Sequence, residues 1–151
     1  MTVVQDFITL ELLAKRLRDE LGSMAVVIAE LDGASFDLHA MVGFKLPERF
    51  PRANIPIPYA ISTHVVEMNY PLQIDDANSH PLIPNHPAVR ELGIGAYLGA
   101  PMHRPDGTAF GTVAALHRHR RSWQKEDLFL VEGTARKAEE ILNRQGASAD
   151  D

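Results

Sequence analysis

The sequence predicts an α+β domain with a central antiparallel β-sheet, N- and C-terminal helices on one face, and a ligand pocket formed by short helices and loops on the other face. Three observations support this fold class. Both ends of the chain have the hydrophobic periodicity of amphipathic helices, two pairs of apolar runs are joined by turn signals, and the middle of the chain is rich in proline. In chain order the strands read as an antiparallel meander with one side open to a small ligand.

Length and composition predict one domain. The chain has 151 residues, of which 45% are hydrophobic and 23% are charged, as is usual for a globular domain with a single core. We therefore predict one domain over residues 1–145 and a flexible polar tail over residues 146–151.

Charge and cysteine content exclude several kinds of function. The net charge of −5 gives no basic field for nucleic acid or an anionic membrane, so neither is expected as a partner. The absence of cysteine excludes disulfides, thiolate catalysis and cysteine-ligated metals. No signal peptide or membrane span is evident near the N-terminus, so a cytoplasmic location is expected.

The first and last helices have apolar residues at alternating spacings of three and four. In the first helix, predicted over residues 3–21, these are Val3, Phe7, Leu10, Ala14, Leu17 and Leu21. In the last helix, which begins near Gln124, they are Leu128, Val131, Ala135, Ala138 and Leu142. This periodicity fits helices that lie on the domain's own sheet and equally a homodimer through the terminal helices.

Strand and turn signals fill the region between these helices. A β-branched run over residues 24–31 precedes Asp32-Gly33, a strong hairpin signal, and the alternating apolar residues of 36–42 follow it. A second hairpin is predicted from residues 94–103 and 109–116 around the turn at 105–107.

The middle of the chain is predicted to form the pocket. Residues 43–58 contain four prolines, which favours a loop or flap. A short helix within residues 59–69 and a strand at 72–74 follow. Residues 77–85 are turn-rich. Residues 87–92 can form one or two helical turns that end at Gly93, and together the two segments are typical of a small lid.

Four segments in this order resemble the GAF family of sensory ligand-binding domains. They are PYAISTHVVEMNYPLQIDDA, ELGIGAYLGAP, DGTAFGT and RSWQKED, which resemble the family's pocket helix with its strand, the strand after the lid, the following hairpin, and the entry to the last helix. The resemblance covers nearly the whole chain and implies a GAF-like fold with a small-molecule pocket.

The sequence departs from the family's pattern at positions where relatives have cysteine. Ser62 and Ala114 stand at two such positions, and His117 stands where aspartate is common. Methionine-sulfoxide reductase chemistry and bilin attachment both require cysteine in this family, so neither is expected here. No cofactor is predicted.

Ser62 and Thr63 lie at the start of the predicted pocket helix. Free backbone N–H groups and hydroxyls at such an end suit an anion or a carbonyl oxygen, and the resemblance implies that some free-standing relatives bind nitrate there. The alternative is that both hydroxyls only cap their own helix.

Two titratable residues are further candidates. His64 fits either a pocket donor or a packing residue. Asp75 and Asp76 invite an acid–base interpretation, but neighbours on a strand point to opposite faces, so Asp76 is better interpreted as capping a turn, with ligand contact as the alternative. His117 and His119 lack a metal-binding signature, and no metal site is predicted.

Aromatic and aliphatic side chains are predicted to form the pocket walls, and a core role is equally compatible with them. These residues are Phe44, Phe50, Ile61, Ile83 and Tyr97.

The predicted function is a sensory or regulatory domain that binds a small molecule, a small anion or nucleotide-like metabolite, and signals through contact with a protein such as a sensor kinase. The alternative is a ligand-free interaction or dimerisation module. A hydrolase or reductase is disfavoured because no nucleophile has an evident base partner.

Overall fold

The computed structural model of the protein describes residues 3–32, 35–43, 55–56, 61–83 and 86–150. Within these residues the elements in chain order are α1 (Val3–Leu21), β1 (Ala25–Asp32), β2 (Ser35–Val42), β3 (Ile55–Pro56), α2 (Ser62–Met68), β4 (Leu72–Ile74), α3 (Pro87–Leu92), β5 (Ala96–His103), β6 (Ala109–His117) and α4 (Lys125–Asp150). They form the α+β fold that the sequence predicts.

The strands form one antiparallel sheet in the order β3-β2-β1-β6-β5-β4. In its centre β1 pairs with β6, so that Ala25 lies opposite Leu116 and Glu30 opposite Gly111. The predicted simple meander is therefore wrong at this point. Its physical reason is that β1 and β6 are strongly apolar, and side-by-side placement in the sheet centre buries both of their faces.

Local signals fix the ends of the long helices. α1 ends where Gly22 takes a left-handed conformation (φ 64°) and its N–H donates to the Arg18 carbonyl oxygen at 2.9 Å. α4 begins where a carboxylate oxygen of Asp127 accepts a hydrogen bond from the Gln124 N–H at 2.8 Å. This contact satisfies a backbone donor that the helix itself leaves without a partner.

One face of the sheet is covered by α1 and α4. The apolar seams of both helices are buried there against residues of β1, β5 and β6, through Leu10, Ala14, Leu17, Leu21, Val131, Ala135, Ala138 and Leu142. The periodicity was compatible with packing on the domain's own sheet and with a homodimer. These side chains pack on the domain's own sheet. Phe7 is an exception, because it is partly exposed.

The opposite face of the sheet is covered by α2. Ile61, Val65, Ile74, Ile83 and Tyr97 belong to a second buried apolar cluster on this face. The two faces of the sheet thus have separate apolar cores. The N- and C-terminal helices lie on one face, and the predicted pocket elements lie on the other.

Two segments differ from the sequence prediction. The loop predicted over residues 43–58 contains β3, in which Pro56 pairs with Ser35 and Ile55 with Phe36. A proline is tolerated there because β3 is an edge strand. The C-terminal tail predicted from residue 146 has a helical backbone as far as Asp150, because the packed part of α4 continues into good helix formers such as Ala147 and Ala149.

Among the described helices, none has both the length and the apolar character that crossing a membrane requires.

Candidate ligand-binding site

The sheet face beneath α2 has small side chains at its centre. Ala29 lies opposite Thr112, and Gly99 lies opposite Ala114, in the paired strands β1, β6 and β5. Because alternate residues of a strand share a face, Thr112 and Ala114 of β6 lie on the same side as Gly99 and Tyr97 of β5. The centre of this face therefore has little side-chain bulk of its own.

The Tyr97 ring lies over Gly99. A Cβ atom at position 99 would collide with the ring and hydroxyl of Tyr97. Only glycine at this position therefore leaves room for the Tyr97 ring against the strand. Tyr97 is 2% exposed. This arrangement directs the tyrosine hydroxyl towards the start of α2.

Three hydroxyl groups come together at this point. The Oγ atom of Ser62 and the Oη atom of Tyr97 lie 2.5 Å apart in a hydrogen bond. Burial raises the pKa of the Tyr97 hydroxyl far above its ordinary value, and the neighbouring hydroxyls of Ser62 and Thr112 act in the opposite direction. Tyr97 is therefore a neutral hydrogen-bonding group at physiological pH.

Thr112 is the least satisfied member of this cluster. Its side chain is completely buried, and its Oγ1 atom makes no well-directed hydrogen bond within the described part of the chain, although it lies near the Tyr97 hydroxyl. A buried hydroxyl whose only nearby partner is poorly directed can be satisfied more fully by a water molecule or by a ligand.

The start of α2 differs from the capping role predicted for Ser62. The residue in the N-cap position is Ile61, which has a right-handed helical conformation and makes no side-chain capping bond. Ser62 is the first helical residue, and its hydroxyl bonds across to Tyr97 instead of to its own helix. Thr63 follows it and is partly buried. The predicted capping role of Ser62 is therefore wrong, because Tyr97 lies within reach of its hydroxyl.

His64 of α2 lies beside a second histidine. The rings of His64 and His86 meet edge to face, with centroids 6.4 Å apart. Burial lowers the pKa of His86, and the nearby charge of His64 lowers it further. His86 is therefore neutral around pH 7. Its ring lies next to the side of α2 that carries His64.

The two aspartates have structural contacts. A carboxylate oxygen of Asp76 accepts a hydrogen bond from the Asn78 N–H at 3.1 Å, which is the predicted turn-capping role. Asp75 instead contacts the entry to α4, where its Oδ1 atom accepts from the Trp123 N–H at 3.3 Å. The two carboxylates thus serve different loops.

The predicted pocket walls are described only in part. Ile61, Ile83 and Tyr97 are all buried in the apolar cluster beneath α2, so the structure brings these three together. Phe44 and Phe50 lie outside the described residues.

The basic run after β6 does not form a histidine pair. β6 ends at His117, whose Nδ1 atom accepts a hydrogen bond from the Met24 N–H at 3.2 Å, whereas His119 lies beyond the strand and is exposed. In the described part of the chain, no group of three or more histidine, aspartate or glutamate side chains could hold a metal ion.

Two residues of the site were not among the sequence candidates. Thr112 lies in an otherwise apolar strand, and that single polar residue on the pocket face is the signal that could have identified it. His86 lies in the predicted lid, far from His64 in sequence, and only the fold brings the two rings together.

The model of the GAF domain family matches residues 8–142. Since this match covers most of the chain, the protein belongs to the GAF family. No curated protein matches it by sequence.

Solved structures agree on the fold. The GAF domain of the Acinetobacter phosphoenolpyruvate-protein phosphotransferase superimposes with a TM-score of 0.78 at 12% identity, covering 97% of this chain and 87% of that chain. A domain of a putative two-component sensor histidine kinase protein from Sinorhizobium meliloti 1021 gives 0.75 at 14% identity, covering 99% and 96%. The PixJ GAF domain of Thermosynechococcus elongatus, in its blue-light absorbing form, gives 0.74 at 20% identity, covering 98% and 90%.

Proposed function

We propose that the protein is a sensory GAF domain that binds a small molecule between α2 and the sheet and passes its occupancy to a partner protein in the cytoplasm. The observation that supports this most is the buried Thr112 hydroxyl without a well-directed partner beside the Ser62–Tyr97 pair. Family membership and the likeness in fold to a sensor histidine kinase domain support the same class of function.

The ligand that fits this cluster is a small anion or a nucleotide-like metabolite. Ser62, Tyr97 and Thr112 offer hydroxyl donors to an oxygen atom of the ligand, while Ile61 and Ile83 offer apolar contact. Hydroxyl donors in a water-poor site bind an anion or a carbonyl oxygen strongly because the competition from water is weak. Thr63, His64 and Asp76 are the remaining candidates for ligand contact at the edge of the site.

The route from the site to the terminal helices runs through β4. The indole N–H of Trp123 donates to the Ile74 carbonyl oxygen at 3.1 Å, and the Arg121 N–H donates to the Asp75 carbonyl oxygen at 2.9 Å. Both bonds connect the end of β4, whose Ile74 lies in the same buried cluster as Val65 of α2, with the segment that leads into α4. A ligand that moves α2 and β4 would act on α4 through these contacts, provided that it binds two states with different affinity.

The proposed partners are a second copy of the chain, bound through the terminal helices, and a signalling protein such as a sensor kinase. Exposed apolar side chains on α1 support such contacts, because Val4, Ile8 and Leu12 recur every four residues on one helical face and are 68%, 54% and 61% exposed.

The test is native mass spectrometry of freshly purified protein, followed by a thermal-shift screen of nitrate, other small anions, purine nucleotides and amino acids. Binding predicts a saturable stabilisation of about 2.7 kcal/mol at a hundredfold excess over the dissociation constant. A ligand-free mass with no shift for any compound would contradict the proposal.

That negative result would favour the second candidate, a ligand-free interaction module. The complete burial of Tyr97 and the packing of α2 directly onto the sheet are compatible with it. We propose no catalytic role, since the Asp76 carboxylate is engaged in its turn and the chain has no cysteine.

A further inference from the structure

The residue that ends α2 has an unusual backbone conformation. Asn69 is left-handed (φ 53°, ψ 44°), and in the part of the chain that the structure describes it is the single residue other than glycine with a positive φ. Its N–H group donates to carbonyl oxygens of α2 and so closes the helix. Asparagine adopts this conformation more readily than most residues do. The helix therefore ends at a fixed point, with the Asn69 side chain available for contacts outside it.

The Asn69 side chain bonds to the β5–β6 turn, which comprises residues 103–109. Its Nδ2 atom donates to the Gly107 carbonyl oxygen at 3.2 Å, and its Oδ1 atom lies 2.6 Å from Nε2 of His103. Because an amide oxygen only accepts hydrogen bonds, the His103 nitrogen donates in the second bond. The end of α2 is therefore attached to the β5–β6 turn at two positions.

The β5–β6 turn is also bonded to α4. A carboxylate oxygen of Glu139 accepts from the His103 N–H at 2.7 Å, and the Asn143 side chain donates to the His103 carbonyl oxygen at 2.9 Å. Asn143 also accepts from the Arg104 guanidinium at 3.1 Å. Glu139 and Asn143 are four residues apart and so lie on the same face of α4. Three hydrogen bonds therefore connect this turn to the second half of α4.

The β5–β6 turn is closed by its own hydrogen bonds. The Arg104 N–H donates to the Thr108 carbonyl oxygen at 2.8 Å, and the Gly107 N–H donates to the Arg104 carbonyl oxygen at 2.9 Å. The Asp106 carboxylate accepts from the Thr108 N–H at 2.9 Å. Rigid elements and hydrogen-bond networks of this kind can carry coupling between distant parts of a protein.

The β5–β6 turn connects two helices that the sheet separates. α2 contributes to the apolar cluster on one face of the sheet and α4 to the cluster on the other, so contacts through the turn pass around the end of the sheet. We propose that this turn transmits a displacement of α2 to the second half of α4 through His103, because the His103 ring bonds to Asn69 and its backbone bonds to α4.

This inference rests on the proposed function, in which a ligand moves α2. It adds a second attachment to α4, at Glu139 and Asn143, about four turns beyond the start of the helix. The contacts of Trp123 act on the other end, where the chain enters α4. Contacts alone do not establish coupling, so the proposal requires a measurement of it.

Chemical denaturation of the full chain tests whether His103 couples the two helices. N69G removes the side chain but keeps a residue that favours the left-handed backbone, and E139A removes the carboxylate but keeps a strong helix former. We expect the effect of the double variant on the unfolding equilibrium constant to differ from the product of the single effects by about twofold or more. In the H103A background the product should hold. The control E140A, at the next and exposed position of α4, should combine with N69G as a simple product.

Two results of this cycle would overturn the proposal. One is a simple product of the N69G and E139A effects with His103 in place. The other is a departure from the product that persists in H103A. Neither result depends on a ligand, so the thermal-shift screen still tests the proposed function separately.

Amide NMR spectra of the folded protein test the transmission itself and need no variant of the histidine. S62A removes the hydroxyl at the first residue of α2 and so disturbs this helix at its other end. We expect S62A to shift the amide resonances of Glu139 and Asn143, and we expect the N69G background to reduce these shifts by about half or more. The shift of the Trp123 indole should remain, because it depends on β4. Unshifted Glu139 and Asn143 resonances in S62A, or equal shifts with and without N69G, would overturn the proposal.

Discussion

The hydroxyl oxygens of Ser62 and Tyr97 lie 2.5 Å apart although 35 positions separate the two residues in the chain. This bond connects the first residue of α2 to β5 of the sheet. It places a polar contact inside an otherwise apolar cluster, where hydrogen bonds are stronger than in water and unpaired groups are costly. The bond therefore contributes to the position of α2 over the sheet.

We predict that Y97F lowers the free energy of unfolding by about 1–3 kcal/mol, because it removes the hydroxyl partner of Ser62 inside the fold. Chemical denaturation of the wild type, Y97F, S62A and the double variant would measure the coupling energy, expected at about 1 kcal/mol. The control Y70F, at a site that is 70% exposed, should change stability by less than about 0.5 kcal/mol. Additive effects of S62A and Y97F would contradict a direct bond.

We predict that G99A destabilises the fold by about 1–3 kcal/mol, because the added methyl group displaces the Tyr97 ring from the sheet. The matched substitution G133A adds the same atoms where space is free. It should raise stability by about 0.5–1 kcal/mol at concentrations where the chain is monomeric. Equal effects of the two substitutions would show that Tyr97 does not lie over Gly99.

We predict an acid-side loss of stability that depends on His86. Its folded pKa is lowered, mainly by burial, so the unfolded chain binds more protons than the folded chain between the folded pKa and the ordinary value of 6.5. Stability is therefore complete above about pH 6.5 and falls as the pH decreases towards the folded pKa.

Thermal melts from pH 5 to pH 8 would measure this dependence on His86, and H86N should flatten the curve. The matched control H80N also removes one imidazole but keeps an acceptor for the Leu82 N–H, which His80 binds at 3.2 Å, so the flattening should be larger in H86N than in H80N. An unaltered slope in H86N would contradict the prediction.

We predict that ligand binding changes the fluorescence of Trp123, the single tryptophan of the chain. Its indole N–H bonds to the Ile74 carbonyl oxygen at the end of β4, so movement of β4 alters its surroundings. The emission change should saturate with the same midpoint as the thermal stabilisation. A saturable stabilisation without any change in emission would contradict the proposed route from the site to α4.

The sequence predicts the individual elements well because their signals are local. The bounds of α1, β4 and α3 agree with the structure to within a residue, since hydrophobic periodicity, proline and the left-handed positions of Gly22 and Gly93 mark their ends. The pairing of β1 with β6 has no such signal, because it joins strands from opposite ends of the chain.

The site is less predictable than the fold. Ser62, Ile61, Ile83 and Tyr97 come together as expected, and a lone polar residue in an apolar strand marks Thr112. The sequence does not show whether its hydroxyl is paired, because threonine is common in strands in either case. Similarly, the apolar periodicity of α1 and α4 is the same for a helix that packs on its own sheet and for a helix that packs in a dimer. Only the burial of Leu10 and Val131 in the core distinguishes the two.

The most direct test of the central claim compares ligand binding by the wild type, T112V and T112S with the ligand that the screen identifies. T112V removes the buried hydroxyl at nearly constant volume. We expect it to stabilise the ligand-free protein by about 1 kcal/mol and to weaken binding by about tenfold or more, whereas T112S keeps the hydroxyl and most of the affinity. Equal affinity of wild type and T112V, together with a loss of ligand-free stability in T112V, would show that Thr112 is a structural residue and that the ligand does not bind at this hydroxyl cluster.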